Sequence, residues 1–103
     1  MEQIQSQAME FNIKEHSWIA KMAAKKLRCS AVAIVIGRTV HLHNVRGEQF
    51  LRQQKWVKHE LCHVRQFQEH GRYVFIFKYL WETLRHGYQN NKYEVEARAA
   101  EEI

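Results

Sequence analysis

Residues 59–63 read His-Glu-Leu-Cys-His. On a helix, His59 and His63 lie one turn apart on the same face, so both imidazoles can reach one ion. Zn²⁺ takes such nitrogen ligands at about 2.0–2.1 Å, and a catalytic site keeps one position for water. The ion lowers the pKa of that water toward about 7, and Glu60, beside the first imidazole, is placed to take its proton. Seven His and eleven Glu among 103 residues make a chance His-Glu-x-x-His roughly a one-in-twenty event, so the surrounding sequence must decide. Cys62 lies inside the motif but about 100° around the helix from His63, and is read as a packing residue.

A catalytic zinc needs a third protein ligand. A third His in the pattern HExxHxxGxxH is absent: Gln66 and Glu69 stand at its Gly and His positions, and His70 is one residue out of register. Downstream, Glu94 and Glu96 are candidates. They lie about 200° apart on a helix, so at most one faces the ion. Acyl transfer also needs a donor for the developing oxyanion. His86, Tyr88 and Tyr93 fall near one another, and Tyr88 is the candidate named. Gln66, one turn beyond His63, either supports the site or is solvated.

The elements that must position these groups follow from periodicity. The first ten residues are polar and expected to fray. Trp18, Ile19, Met22, Ala23 and Leu27 keep the helical period, so a helix is expected from about Lys14 to Arg28, starting as early as Ala8. Ala31–Ile36 and Thr39–His43 flank Gly37-Arg38, the pattern of a hairpin with a type II′ turn. The first of these strands is apolar throughout and is expected to be covered on both faces. The second alternates, so it is expected to form a half-exposed edge, where His41 and His43 could border a peptide cleft. A helical region opens at Gly47, carries the motif, and is capped at Gly71. Residues 72–86 are apolar almost all round, predicting a buried central helix with Phe75, Phe77 and Trp81, like Trp56 before it, in the core. Gly87 ends it. Asn91 is the expected N-cap of a last helix over residues 92–101.

With those motifs in place, the segment from Phe50 to Glu101 (FL…KWVKHELCHVRQFQEHG…KYLWE…GYQNNKYEVEARAAE) resembles small single-domain bacterial proteins of the gluzincin group of zincin metallopeptidases. With the helix and hairpin before it, the likeness covers about residues 15–101. It implies an α+β minimal zincin-like domain over residues 1–103, ordered helix, β-hairpin, HExxH helix, buried helix, Glu-bearing helix. It implies one Zn²⁺ held by His59, His63 and the Glu of an ExxA pattern, which is Glu94, with Glu96 as fallback. It implies hydrolysis of a peptide or protein substrate with Glu60 as base. One feature departs from the pattern. The Asp that orients a ligand His in related proteins is Arg98 here, and the chain has no Asp, so any such acceptor must be Glu, Gln, Asn or a backbone carbonyl.

Composition narrows the alternatives. Absent Pro and Asp favour helices. A hydrophobic fraction of 46% excludes a disordered polyelectrolyte. No apolar run reaches the roughly 20 residues of a membrane span, the start lacks a signal-peptide pattern, and Cys29 and Cys62 have no framework spacing. A reduced, cytoplasmic protein is therefore expected. Two other readings fit the same residues: a metal-binding zincin fold without catalysis, serving as an interaction module, and a basic nucleic-acid-binding domain using Lys21, Lys25 and Arg28. No helix-turn-helix, zinc-finger or RNP pattern supports the second.

Overall fold

The computed structural model describes residues 10–103, and among them are five helices and a three-stranded sheet, an α+β arrangement. In chain order the elements are β1 (Asn12–Lys14), α1 (Trp18–Leu27), β2 (Val32–Ile36), β3 (Thr39–His43), α2 (Gly47–Leu51), α3 (Gln54–His70), α4 (Arg72–His86) and α5 (Lys92–Ala100). The stretch expected to fray lies, up to residue 9, outside the described residues.

The hairpin forms as its turn residues dictate. Ile36 pairs with Thr39, leaving the two-residue loop Gly37-Arg38. Gly37 has φ +65° while Arg38 is not in the positive-φ region, as a type II′ turn requires. The strand order corrects the sequence reading. It is β1-β3-β2, with β1 running parallel to β3. So β3 is central and β2 is an edge, the reverse of the expectation. Three residues of β1 are too few to show an alternation, and the helix expected over them begins instead at Trp18, capped by the Ser17 hydroxyl.

Alternation across the sheet builds two apolar layers. Val32 and Ile34 face α1, where Ala20 and Ala24 allow close approach. Val35, Val40 and Leu42 face the other way, into the main core with Phe50, Val64, Phe67, Phe75 and Tyr93. Thus α3 packs against the sheet along Val64 and Phe67, which fixes the direction of the motif residues on the same helix.

The helix α4 is not buried. Of its apolar side chains only Phe75 is fully enclosed, while Tyr73, Val74, Phe77, Leu80, Trp81 and Leu84 are exposed. Phe77 and Trp81, expected in the core, therefore lie outside it. Trp56 is half-buried, edge-on to Phe50 with ring centroids 5.3 Å apart. An all-round apolar pattern calls for partners on every side, and among the described residues α4 has neighbours on one side only.

Gly71 and Gly87 end α3 and α4 with φ of +86° and +83°, conformations in which a side chain is strained. Asn91 then joins α4 to α5. Its Oδ1 accepts from the Tyr93 N–H at 2.8 Å, and its Nδ2 donates to the Tyr79 carbonyl at 3.0 Å and the Thr83 hydroxyl at 2.9 Å. The side chain is wholly buried, so both ends must be satisfied. Replacing it removes a cap and leaves partners unpaired. Asn91→Ala is expected to destabilise the fold by about 2–3 kcal/mol, read from the urea midpoint, whereas an exposed change such as Gln68→Ala should cost about 0.5 kcal/mol or less.

Candidate metal centre

The i, i+4 spacing on α3 places His59 and His63 side by side, their ring centroids 5.0 Å apart. Asn91 sets the start of α5, and Glu94 in its first turn projects back between them. The Glu94 carboxylate meets both rings: Oε1 lies 3.1 Å from His59 Nε2, and Oε2 lies 3.2 Å from His63 Nε2. One donor atom from each of the three residues falls within 4.8 Å of the others. Of the two downstream carboxylates, it is Glu94 that joins the imidazoles. Glu96 turns away and accepts from Gln66 at 2.7 Å and Arg65 at 2.8 Å.

The second nitrogen of each ring is also held. His59 Nδ1 donates to Glu101 Oε2 at 2.7 Å, and His63 Nδ1 donates to Gln66 Oε1 at 2.8 Å. Occupying Nδ1 directs both Nε2 atoms to the same point. Gln66 is 1% exposed and is fixed in turn by donating to Glu96 and to the Tyr93 carbonyl. Of its two sequence readings, the supporting one describes its place. Glu101 stands where no Asp is available. No motif spacing points to Glu101, which caps the C-terminal end of α5. Tyr79 was also missed: its hydroxyl donates to Glu94 Oε2 at 2.5 Å, and only its place on the inner face of α4 could have signalled that.

Burial and proximity set the charges. Burial pulls the His59 imidazole down, but hydrogen bonds to Glu94 and Glu101 and the charge of Glu60 outweigh it, leaving the pKa raised to about 9. His63 is raised as well, its burial outweighed by Glu94. Burial opposes the Glu94 charge too, yet hydrogen bonds from His59, His63 and Tyr79 hold its carboxyl well below the ordinary range. Glu60 is 5% exposed, and burial pushes it up to about 7 against the pull of His63 and His59. A carboxylate at that value can both take and return a proton near neutral pH. Cys62 is 4% exposed, and burial lifts its thiol to about 11, so it stays protonated, in keeping with a packing role.

These groups sit on the floor of a cleft of about 500 Å³. Edge strand β2 and residues Ala23 and Leu27 of α1 form one wall; Ile76, Tyr79 and Leu80 of α4 form the other. Tyr88 lines the cleft, and its phenol is raised to about 12 by burial and the charges of Glu94 and Glu60, so it keeps its proton. His41 and His43 do not line it. As residues of the central strand they face elsewhere, with His41 buried against the Ser17 hydroxyl at 2.8 Å. His86 is exposed outside the cleft, and Tyr93 is in the core. Lys21, Lys25 and Arg28 are exposed along and just beyond α1, Arg28 as its left-handed C-cap. No described helix is long and apolar enough to cross a membrane. No protein-family model, curated protein or solved structure matches the chain.

The donor set suits a divalent ion of intermediate softness: two imidazoles and one carboxylate, each ring fixed from behind. Tetrahedral ligands at about 2.0–2.1 Å from zinc lie roughly 3.3 Å from one another. In this structure the three donor atoms lie within 4.8 Å of one another, with Glu94 Oε1 hydrogen-bonded to His59 and Oε2 to His63, so an ion would take the place of these direct contacts.

Two outcomes are expected. Without metal, the folded protein holds protons on His59 (about 9, against an ordinary 6.5) and Glu60 (about 7, against 4.5) more tightly than the unfolded chain does. That stability is complete at low pH and is lost as pH rises through the folded-state values; Glu94, shifted the other way, loses its contribution only in acid. The metal-free protein should therefore lose thermal stability from about pH 5 to pH 9, while the further stability given by added Zn²⁺ should grow over that range as protons are displaced. Identical pH profiles with and without Zn²⁺ would contradict this. Separately, Glu101→Ala should weaken Zn²⁺ binding about 10–100-fold in a chelator competition, and Lys58→Ala should leave it within about twofold.

Proposed function

We propose that this chain is a zinc-dependent peptidase of the zincin kind, with His59, His63 and Glu94 as metal ligands and Glu60 as general base. The observation that carries the reading is the meeting of the three donor atoms within 4.8 Å, with the buried Glu60 carboxyl alongside and an edge strand bordering the same cleft. A bound zinc ion supplies Lewis-acid polarisation of a carbonyl and acidification of a water.

The chain's own residues do the rest. An extended peptide segment pairs with the free main-chain groups of β2, and the apolar walls accept its side chains. Glu60, buried on the cleft floor beside the ligands, accepts a proton at its carboxylate and delivers it to the leaving amine. Tyr88, held protonated, donates its O–H to the oxyanion that develops on the attacked carbonyl. Glu101 and Gln66 orient the imidazoles, and Tyr79 orients Glu94. The apolar cleft limits competing water around the reacting groups.

The same donor set supports a metal-binding module without catalysis, and one variant separates the two. Purified protein is expected to carry one Zn²⁺ per chain and to cleave members of a mixed peptide library. Glu60→Gln should keep the zinc and lose about 10²–10⁴-fold in kcat/KM. A Glu60→Gln protein with zinc and unchanged cleavage would overturn the mechanism; stoichiometric zinc with no cleavage by the wild type would assign the binding role alone.

A further inference from the structure

The exposed face of α4 has an order that scattered surface hydrophobics lack. Tyr73, Phe77, Leu80 and Leu84 follow steps of four, three and four residues and form one stripe along the helix. They are 80%, 70%, 61% and 79% exposed. Trp81 and Val74 extend the stripe on one side. Its other side runs through Ile76 and Thr83 into the cleft, which Leu80 also lines. No charged residue interrupts the four-residue stripe; Lys78 and Glu82 lie off it, and Arg85 borders it beyond Trp81, its guanidinium 5.8 Å from that ring's centroid. Among the described residues no other element covers Tyr73, Phe77, Leu80 and Leu84.

We propose that α4 is a homodimer interface, packing antiparallel on α4 of a second copy of this chain. Three features select that occupant. Steps of four and three are the seam by which one helix inserts side chains between those of another. An antiparallel pairing about a twofold axis sets Tyr73 opposite Leu84 and Phe77 opposite Leu80, so each large ring meets a smaller side chain; a parallel pairing would set ring against ring. The area is also right. Aromatic side chains carry about 150–250 Å² each, so the stripe with Trp81 and Val74 presents roughly 700 Å², close to the roughly 800 Å² each partner contributes to a standard interface. Monomers rarely expose so large a continuous apolar patch. A lipid surface fits less well, because a membrane-lying helix carries cations along both borders of its apolar face, and here one border is the uncharged cleft wall.

The interface has a consequence for the cleft. Only Phe75 anchors α4 fully in the core, yet this helix carries Tyr79, which holds Glu94. A second α4 against its outer face buttresses the wall that keeps that carboxylate in place. The dimer itself does not depend on the metal reading, since none of its contacts involves a ligand.

Sedimentation velocity of the full chain, with and without Zn²⁺, tests the proposal. A species of twice the chain mass is expected at about 10 µM in both conditions. Leu84→Glu and Phe77→Glu, both at exposed positions outside the cleft, should each weaken dimerisation at least about 30-fold with circular dichroism unchanged. In a Cys29→Ser background, a mixture of Tyr73→Cys and Leu84→Cys chains should form mixed disulfides in preference to like pairs. A wild type that stays monomeric at about 100 µM overturns the proposal. So does a dimer that neither charge substitution weakens, a preference for like-pair disulfides, or a monomer that binds phosphatidylserine vesicles through this face.

Discussion

The carboxylate of Glu94 is the point on which the site turns. It comes from α5, is 4% exposed, and lies between two imidazoles of α3. A buried carboxylate needs compensation, and here three donors provide it: His59, His63 and the Tyr79 hydroxyl. The compensation is mutual, since the same contacts raise the pKa of both imidazoles. Protons therefore fill the small volume in which His59, His63 and Glu94 could hold a divalent ion. Whatever fills it binds α3 to α5.

The rest of the architecture can be followed outward from that contact. Val64 and Phe67 lock α3 onto the sheet, which fixes where His59 and His63 point. Asn91 fixes the first turn of α5 against α4, which fixes Glu94. Gln66 and Glu101 close the outer sides of the rings, and Gln66 reaches through to Glu96, so the carboxylate that is not in the cluster still serves it. The cleft above is apolar because its walls are the edge strand β2 and the inner faces of α1 and α4. Apolar walls strengthen every electrostatic interaction on the floor.

Much of this was legible in the sequence because it rests on local rules. Helical spacing placed His59 and His63 on one face, the roughly 200° between Glu94 and Glu96 meant that only one could join them, and Gly37, Gly71 and Asn91 marked a turn and caps that the fold contains. The misreadings have physical causes of their own. A strand of three residues has no readable period, so β1 was hidden, and with it the central place of β3 and the burial of His41. The apolar texture of α4 states that its surface avoids water but not what covers it, so Phe77 and Trp81 were placed in a core that the described chain does not extend to them. Glu101 and Tyr79 act across tertiary distances, where no sequence spacing could announce them.

The central claim concerns what occupies the space between His59, His63 and Glu94. X-ray absorption at the zinc edge of protein loaded with one equivalent of Zn²⁺ reads that directly. The account predicts four light ligands at about 2.0–2.1 Å, two of them with the outer-shell scattering of imidazole, and no sulfur. A sulfur shell at about 2.3 Å, placing the ion on Cys29 or Cys62, or a six-oxygen shell without imidazole, would contradict it.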